Sequence, residues 1–120
     1  ALSRGAAHAT FVDVGKPQLE VIRANLRELG VAGQATVVAG DAVAAAARPG
    51  SEPWGLVTID PPYASDLAVR AATALVNLAS DAVIVIEHDR RHAPPDEVGS
   101  LVRTDERRYG DTLVSFYRPT

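Results

Sequence analysis

Four short apolar runs restrict what this chain can fold into, because stretches of helical periodicity separate them. Residues 9–14, 35–39, 55–60 and 82–87 are rich in β-branched and small apolar side chains and too short for helices, so they read as buried strands. After the first, Pro17 suits an opening helical turn, Leu19, Ile22, Leu26 and Leu29 recur at helical spacing, and Gly30 provides the stop. A short alanine-rich helix is expected over 42–48 and a loop over 48–53. Residues 66–79 carry a helical pattern through Leu67, Ala71, Leu75 and Leu78, whereas polar residues 88–97 read as an exposed loop. Residues 101–108 and 112–117, around Tyr109-Gly110-Asp111, read as a closing hairpin. This alternation is that of an α/β fold: a mostly parallel sheet covered by helices, with antiparallel strands at one edge.

Composition narrows the partners. A chain of 120 residues is expected to form one domain, and 47% hydrophobic with 22% charged residues suits a folded soluble one. The formal net charge of −3 argues against a freestanding binder of naked nucleic acid, but not against an enzyme touching RNA through a small patch. With no cysteine, disulfides, thiolate metal sites and cysteine nucleophiles are excluded. His8, His88 and His92 lack a ligand-like spacing, so no metal is expected and they read as surface or structural. The apolar run 82–86 is far short of a membrane span, and no secretory leader opens the sequence, so no membrane partner and a cytoplasmic location are expected.

In open α/β sheets ligands sit beyond the carboxyl ends of the strands. Asp13 closes the first predicted strand, Asp41 follows the second and Asp60 closes the third. A carboxylate there can accept hydrogen bonds from two ribose hydroxyls, and one a strand away can accept from an adenine amino group. The plainer reading of Asp13 and Asp41 is solubilising loop residues or helix N-caps. Asp60-Pro61-Pro62-Tyr63 is the sharper signal. Both prolines stiffen the loop and donate no hydrogen bond, which leaves the Pro61 carbonyl free to accept beside the Asp60 carboxylate. Two adjacent acceptors suit an exocyclic amine, and Tyr63 offers a face on which a planar base can stack. The plainer alternative is a rigid strand-to-helix turn with a packed tyrosine.

Asp-Pro-Pro-Tyr after a strand resembles the catalytic motif of Rossmann-like amino-methyltransferases that use S-adenosylmethionine. With residues 1–6 (Ala-Leu-Ser-Arg-Gly-Ala), Phe11-Val12-Asp13-Val14, Gly40-Asp41, and Tyr109-Gly110-Asp111-Thr112 followed by Phe116-Tyr117, the chain resembles the RsmD family along essentially its whole length. The resemblance implies methyl transfer to the N2 amine of a guanine in 16S ribosomal RNA, within a small-subunit ribosomal particle, by a cytoplasmic monomer. It also implies that Asp13 and Val14 lie at the cofactor ribose, and that Gly40, Asp41 and Ala42 meet the adenine. Asp60 and Pro61 would hold the guanine amine, Pro62 would stiffen the loop, and Tyr63 would stack on the flipped base.

The chain also departs from that pattern. In the family a first strand and a glycine-rich turn precede the block that here stands at residues 1–6, and Gly15 stands where many relatives carry a second acidic residue. The resemblance therefore implies one partial domain over 1–120, a sheet lacking its first strand and glycine-rich loop, and weak cofactor binding by this chain alone. Two other functions fit the same motif: an amino-methyltransferase acting on DNA adenine, and a catalytically silent nucleotide-binding fragment.

Overall fold

A computed structural model describes residues 8–48, 53–60, 66–89, 91 and 93–120. The chain divides into two compact units, residues 1–45 and 46–120. In the first, strand β1 (Ala9–Asp13) leads into helix α1 (Lys16–Glu28), then strand β2 (Ala35–Ala39) and the short helix α2 (Ala42–Ala46). β1 and β2 pair in parallel, with Phe11 opposite Val37 and Asp13 opposite Ala39. Pro17 occupies the first turn of α1, where its missing N–H is no loss, and Leu19 and Leu26 are the residues it buries. The helix closes as expected. Gly30 adopts φ 71° and donates to Arg27 O at 3.1 Å, and Val31 N–H reaches Leu26 O at 3.0 Å. Those two bonds form a Schellman cap, which satisfies carbonyls that the last turn leaves unpaired.

The second unit holds β3 (Trp54–Ile59), α3 (Leu67–Ala74), β4 (Leu78–Asp89), β5 (Glu97–Val98), β6 (Leu101–Tyr109) and β7 (Thr112–Pro119). Its five strands lie in the order β3-β4-β7-β6-β5. β3 and β4 are parallel, while β4–β7, β7–β6 and β6–β5 are antiparallel, so the C-terminal hairpin sits toward one edge as the turn signal implied. Its core joins Ala68 and Ala72 of α3 to Ile84, Ile86, Tyr117, Val98 and Leu101 of the sheet. Alanines let the helix backbone approach the sheet closely, and the larger strand residues fill the space. Among the described residues β1 pairs only with β2, and β3 only with β4.

Several boundaries differ from the sequence pattern. α3 stops at Ala74 rather than continuing to 79, because Leu75 turns extended (ψ 132°) and Asn77 adopts φ 58°. Leu78 then opens β4 opposite Trp54, whose N–H donates to Asn77 O at 2.9 Å. Leu75 and Leu78 keep the helical spacing and both pack on the core, so the pattern alone does not mark where the helix ends. The stretch 88–97 is not a continuous loop either. His88 and Asp89 extend β4 opposite Leu113 and Thr112, and Glu97–Val98 forms a short strand against Leu101–Val102. The antiparallel share of the sheet is correspondingly larger than expected. No helix among the described residues is long and apolar enough to cross a membrane.

Candidate functional site

In the first unit the parallel register brings the carboxyl ends of β1 and β2 side by side. Gly40 N–H donates to Asp13 O at 3.0 Å, which ties the residue before Asp41 to the end of the neighbouring strand. The Asp13 carboxylate is half-buried, and its Oδ1 accepts from Gly15 N–H at 2.8 Å, a side-chain-to-backbone turn that fixes its rotamer. Asp41 is exposed; its Oδ2 accepts from Ala44 N–H at 3.1 Å and its carbonyl from Ala45 N–H at 3.0 Å. The N-cap reading of Asp41 is therefore realised. It does not compete with ligand binding, since each carboxylate spends one oxygen on its own backbone and keeps the other for an outside donor.

The neighbouring residues suit the same end. Val14 is 77% exposed, an apolar side chain left in water beside Asp13. Ala42, half-buried, opens α2. A Cβ built on Gly40 would meet nothing within 4 Å, so open space lies above the strand end there. The two strand ends thus present two carboxylate acceptors, an uncovered apolar side chain and open backbone. Gln18 was not singled out from sequence. Its amide folds back over Gly15, where a Cβ would lie 1.9 Å from Oε1, so it fills the place of the side chain that glycine lacks.

In the second unit Asp60 directly follows β3 and is exposed. Pro61, Pro62 and Tyr63 lie outside the described residues, as do Arg90, His92 and residues 1–6. β3 and β4 run parallel with Ile59 opposite Ile86, and β4 ends at Asp89 opposite Thr112. The Gly110–Asp111 turn therefore lies at the same end of the sheet as Asp60. A polar chain lies just inside this end. The His88 imidazole is half-buried, with Nδ1 2.8 Å from Asp89 O and Nε2 2.7 Å from Ser115 Oγ. A carbonyl only accepts, so Nδ1 donates to Asp89 O. Ser115 is fully buried, and its Oγ donates to Glu106 Oε2 at 3.4 Å. Glu106 in turn accepts from Arg103 at 2.7 Å. These groups hold the hairpin against β4. His88 is thus structural, and so is Arg103, which pairs with both Asp96 and Glu106.

Residues 1–118 match the protein family described as Conserved hypothetical protein 95. The chain is 35% identical over 124 residues to a Bacillus subtilis (strain 168) protein, YlbH, provisionally named as an rRNA methyltransferase; the match covers 98% of this chain and 67% of that protein. Among solved structures it superposes on yhhF from Escherichia coli, provisionally named as a methyltransferase, with a TM-score of 0.79 at 29% identity, covering 98% of this chain and 66% of that one. It superposes on HI0767 from Haemophilus influenzae, provisionally named as a methylase, with a TM-score of 0.83, covering 98% of this chain and 76% of that one. At 24% identity the second likeness speaks to the fold alone.

Proposed function

The chain belongs to the RsmD-like family described as Conserved hypothetical protein 95, and from that premise we propose that it moves a methyl group from S-adenosylmethionine to the N2 amine of a guanine in 16S ribosomal RNA. Methyl transfer is supported by the names of its relatives. The guanine amine, the small-subunit particle as substrate, a cytoplasmic location and action as a monomer are this reading's own additions, as is treating residues 1–120 as one methyltransferase domain. The observation that carries it is Asp60 at the open carboxyl end of a parallel strand, leading into Pro61-Pro62-Tyr63.

When bound, S-adenosylmethionine supplies an electrophilic methyl on a sulfonium. Asp13 and Val14 would hold its ribose, and Gly40, Asp41 and Ala42 its adenine, with the free carboxylate oxygens as acceptors. On the acceptor side, the lone pair of a guanine amine is delocalised into the ring, which makes it a poor nucleophile. Asp60 and the Pro61 carbonyl would accept its two hydrogens, favouring a pyramidal nitrogen and stabilising the positive charge that develops on it. Tyr63 would stack on the flipped base and align the amine for attack. No side chain need act as a base beforehand, because the proton leaves after the nitrogen has become cationic.

The test is transfer of labelled methyl by the complete gene product to small-subunit particles from a strain lacking the modification. The label is expected on guanine N2, and Asp60→Ala should lower the rate on the order of a hundredfold, the scale of losing one transition-state partner. Label on adenine, transfer to DNA instead, or an unchanged rate in Asp60→Ala would overturn the reading.

A further inference from the structure

Parallel pairing sets Thr58 beside Val85 and Ile59 beside Ile86. Carried one residue on, that register brings Asp60 level with Glu87, at the ends of neighbouring strands roughly 4.8 Å apart. Ile59 and Ile86 pack on the core that α3 joins. Alternation therefore turns Glu87 to the opposite face, with Val85, and does the same to Asp60 where it leaves β3. Both residues are exposed, and among the described residues none gives either carboxylate a hydrogen bond or an ion pair. Glu87 stands opposite Val114, not opposite a cation. On the far side of Val114 lies Arg107, whose Nε is 3.2 Å from Asp105 Oδ2 and whose guanidinium covers the Phe116 ring. Asp89, two residues on in β4, accepts from Arg91 N–H at 3.0 Å. Like charges side by side in a sheet are unfavourable, and a ligand that brings adjacent N–H groups to this strand end relieves that repulsion.

We propose that Glu87 selects guanine, accepting the hydrogen on N1 while Asp60 and the Pro61 carbonyl hold the N2 amine. This rests on the catalytic reading above and adds to it the residue that chooses the base. Three bases carry an exocyclic amine, and the ring nitrogen beside the amine separates them. That neighbour is N1 in adenine and N3 in cytosine, each a lone pair; guanine alone sets a donor, N1–H, next to its amine. An ionised carboxylate only accepts. Beside Asp60, Glu87 thus completes an unbroken set of acceptors for guanine, whereas on adenine it meets a second lone pair. Sites built to bond a particular N–H reject the analogue lacking it far more strongly than apolar pockets do. Asp60 cannot make that choice, because it meets an amine that all three bases share. Glu87 touches the base away from the atom that takes the methyl, so its part is selection and not activation.

Labelled methyl transfer by the complete gene product tests this on two substrates. One is the small-subunit particle lacking the modification; the other is the same particle reconstituted with adenine at the nucleotide that takes the label. Wild type should favour the guanine particle on the order of a hundredfold or more. Glu87→Gln can turn an amide N–H toward an acceptor, so it should narrow that ratio by about tenfold or more. Glu87→Ala should slow transfer to the guanine particle by about tenfold, the scale of one hydrogen bond to a charged group. Asp60→Ala should slow it further without admitting adenine. Circular dichroism and unchanged affinity for S-adenosylmethionine show that each Glu87 variant is intact. An unchanged guanine-to-adenine ratio in Glu87→Gln would overturn the proposal, as would transfer that Glu87→Ala leaves at the wild-type rate. Guanine transfer that depends on Asp60 and is indifferent to Glu87 counts against Glu87 alone. Wild-type label on adenine, or on neither particle, counts against the catalytic reading, and the role of Glu87 falls with it.

Discussion

Tyr117 has no exposed surface, yet its hydroxyl donates to Pro95 O at 2.7 Å. Burial is the main cause that raises its pKa above the ordinary 10, partly opposed by the Arg103 guanidinium. A phenol whose pKa is raised on folding adds stability below the unfolded value near 10; that stability is lost as pH rises through the folded value. Tyr117→Phe should cost about 1 kcal/mol at neutral pH through the lost hydrogen bond, and should flatten the fall in stability above pH ~10. Denaturant titrations at both pH values measure this. Ser115→Ala should cost about 1–3 kcal/mol, because it strips a partner from His88 Nε2 inside the sheet; Ser115→Thr does not test this, since it adds a methyl where no surface is exposed. Asp13, Asp41 and Asp60 could be picked out from sequence because each ends a run of recognisable period. The pairing of His88 with Ser115 could not, since 27 residues separate them and only the β4–β7 register brings them together.

The secondary elements were legible wherever local chemistry alone decides them. Gly30 had to adopt a left-handed turn for α1 to close, and Gly110, at φ 64°, opens the two-residue turn between Tyr109 and Thr112. Gly110→Ala should destabilise the chain by about 1–2 kcal/mol, the cost of a Cβ in that conformation, read as a lowered denaturation midpoint with unchanged slope. Gly40→Ala should leave stability nearly unchanged, since no neighbour crowds its Cβ. The end of α3 and the start of β4 were illegible for the opposite reason. Leu75 and Leu78 continue the helical spacing, and pairing of Leu78 with Trp54 overrides it. The two-residue strand β5 exists only because β6 lies beside it.

At the scale of the molecule, the units differ in how much protects their backbone. β4 is paired on both sides, and Ala82, Ile84 and Ile86 have no exposed surface. β1 and β2 form a two-stranded sheet backed by α1, which buries Leu19 and Leu26. Two strands are marginal without such backing. Hydrogen exchange should therefore be slowest at amides of residues 82–86 and 113–117 and markedly faster throughout β1 and β2. Uniform protection across both sheets would contradict this. α/β class and the closing hairpin were readable because they follow from the order of local signals. Edge pairing was not, because it depends on which strands find partners, whereas separate sheets for β1 and β3 accord with the expected lack of a first strand.

The register of β6 against β7 slips between Arg103 and Asp105, so Thr104 is a residue without an opposite number. Its presence decides which side each later side chain of that strand takes. A regular ladder continuing from Arg103 would turn Arg107 to the face that carries Ser115 and Glu106 to the face that carries Phe116. Length is consequently the guarded quantity in this arm: exchanges of residue type should be absorbed there, whereas gaining a single position beyond Thr104 would invert the polarity of everything up to the tip.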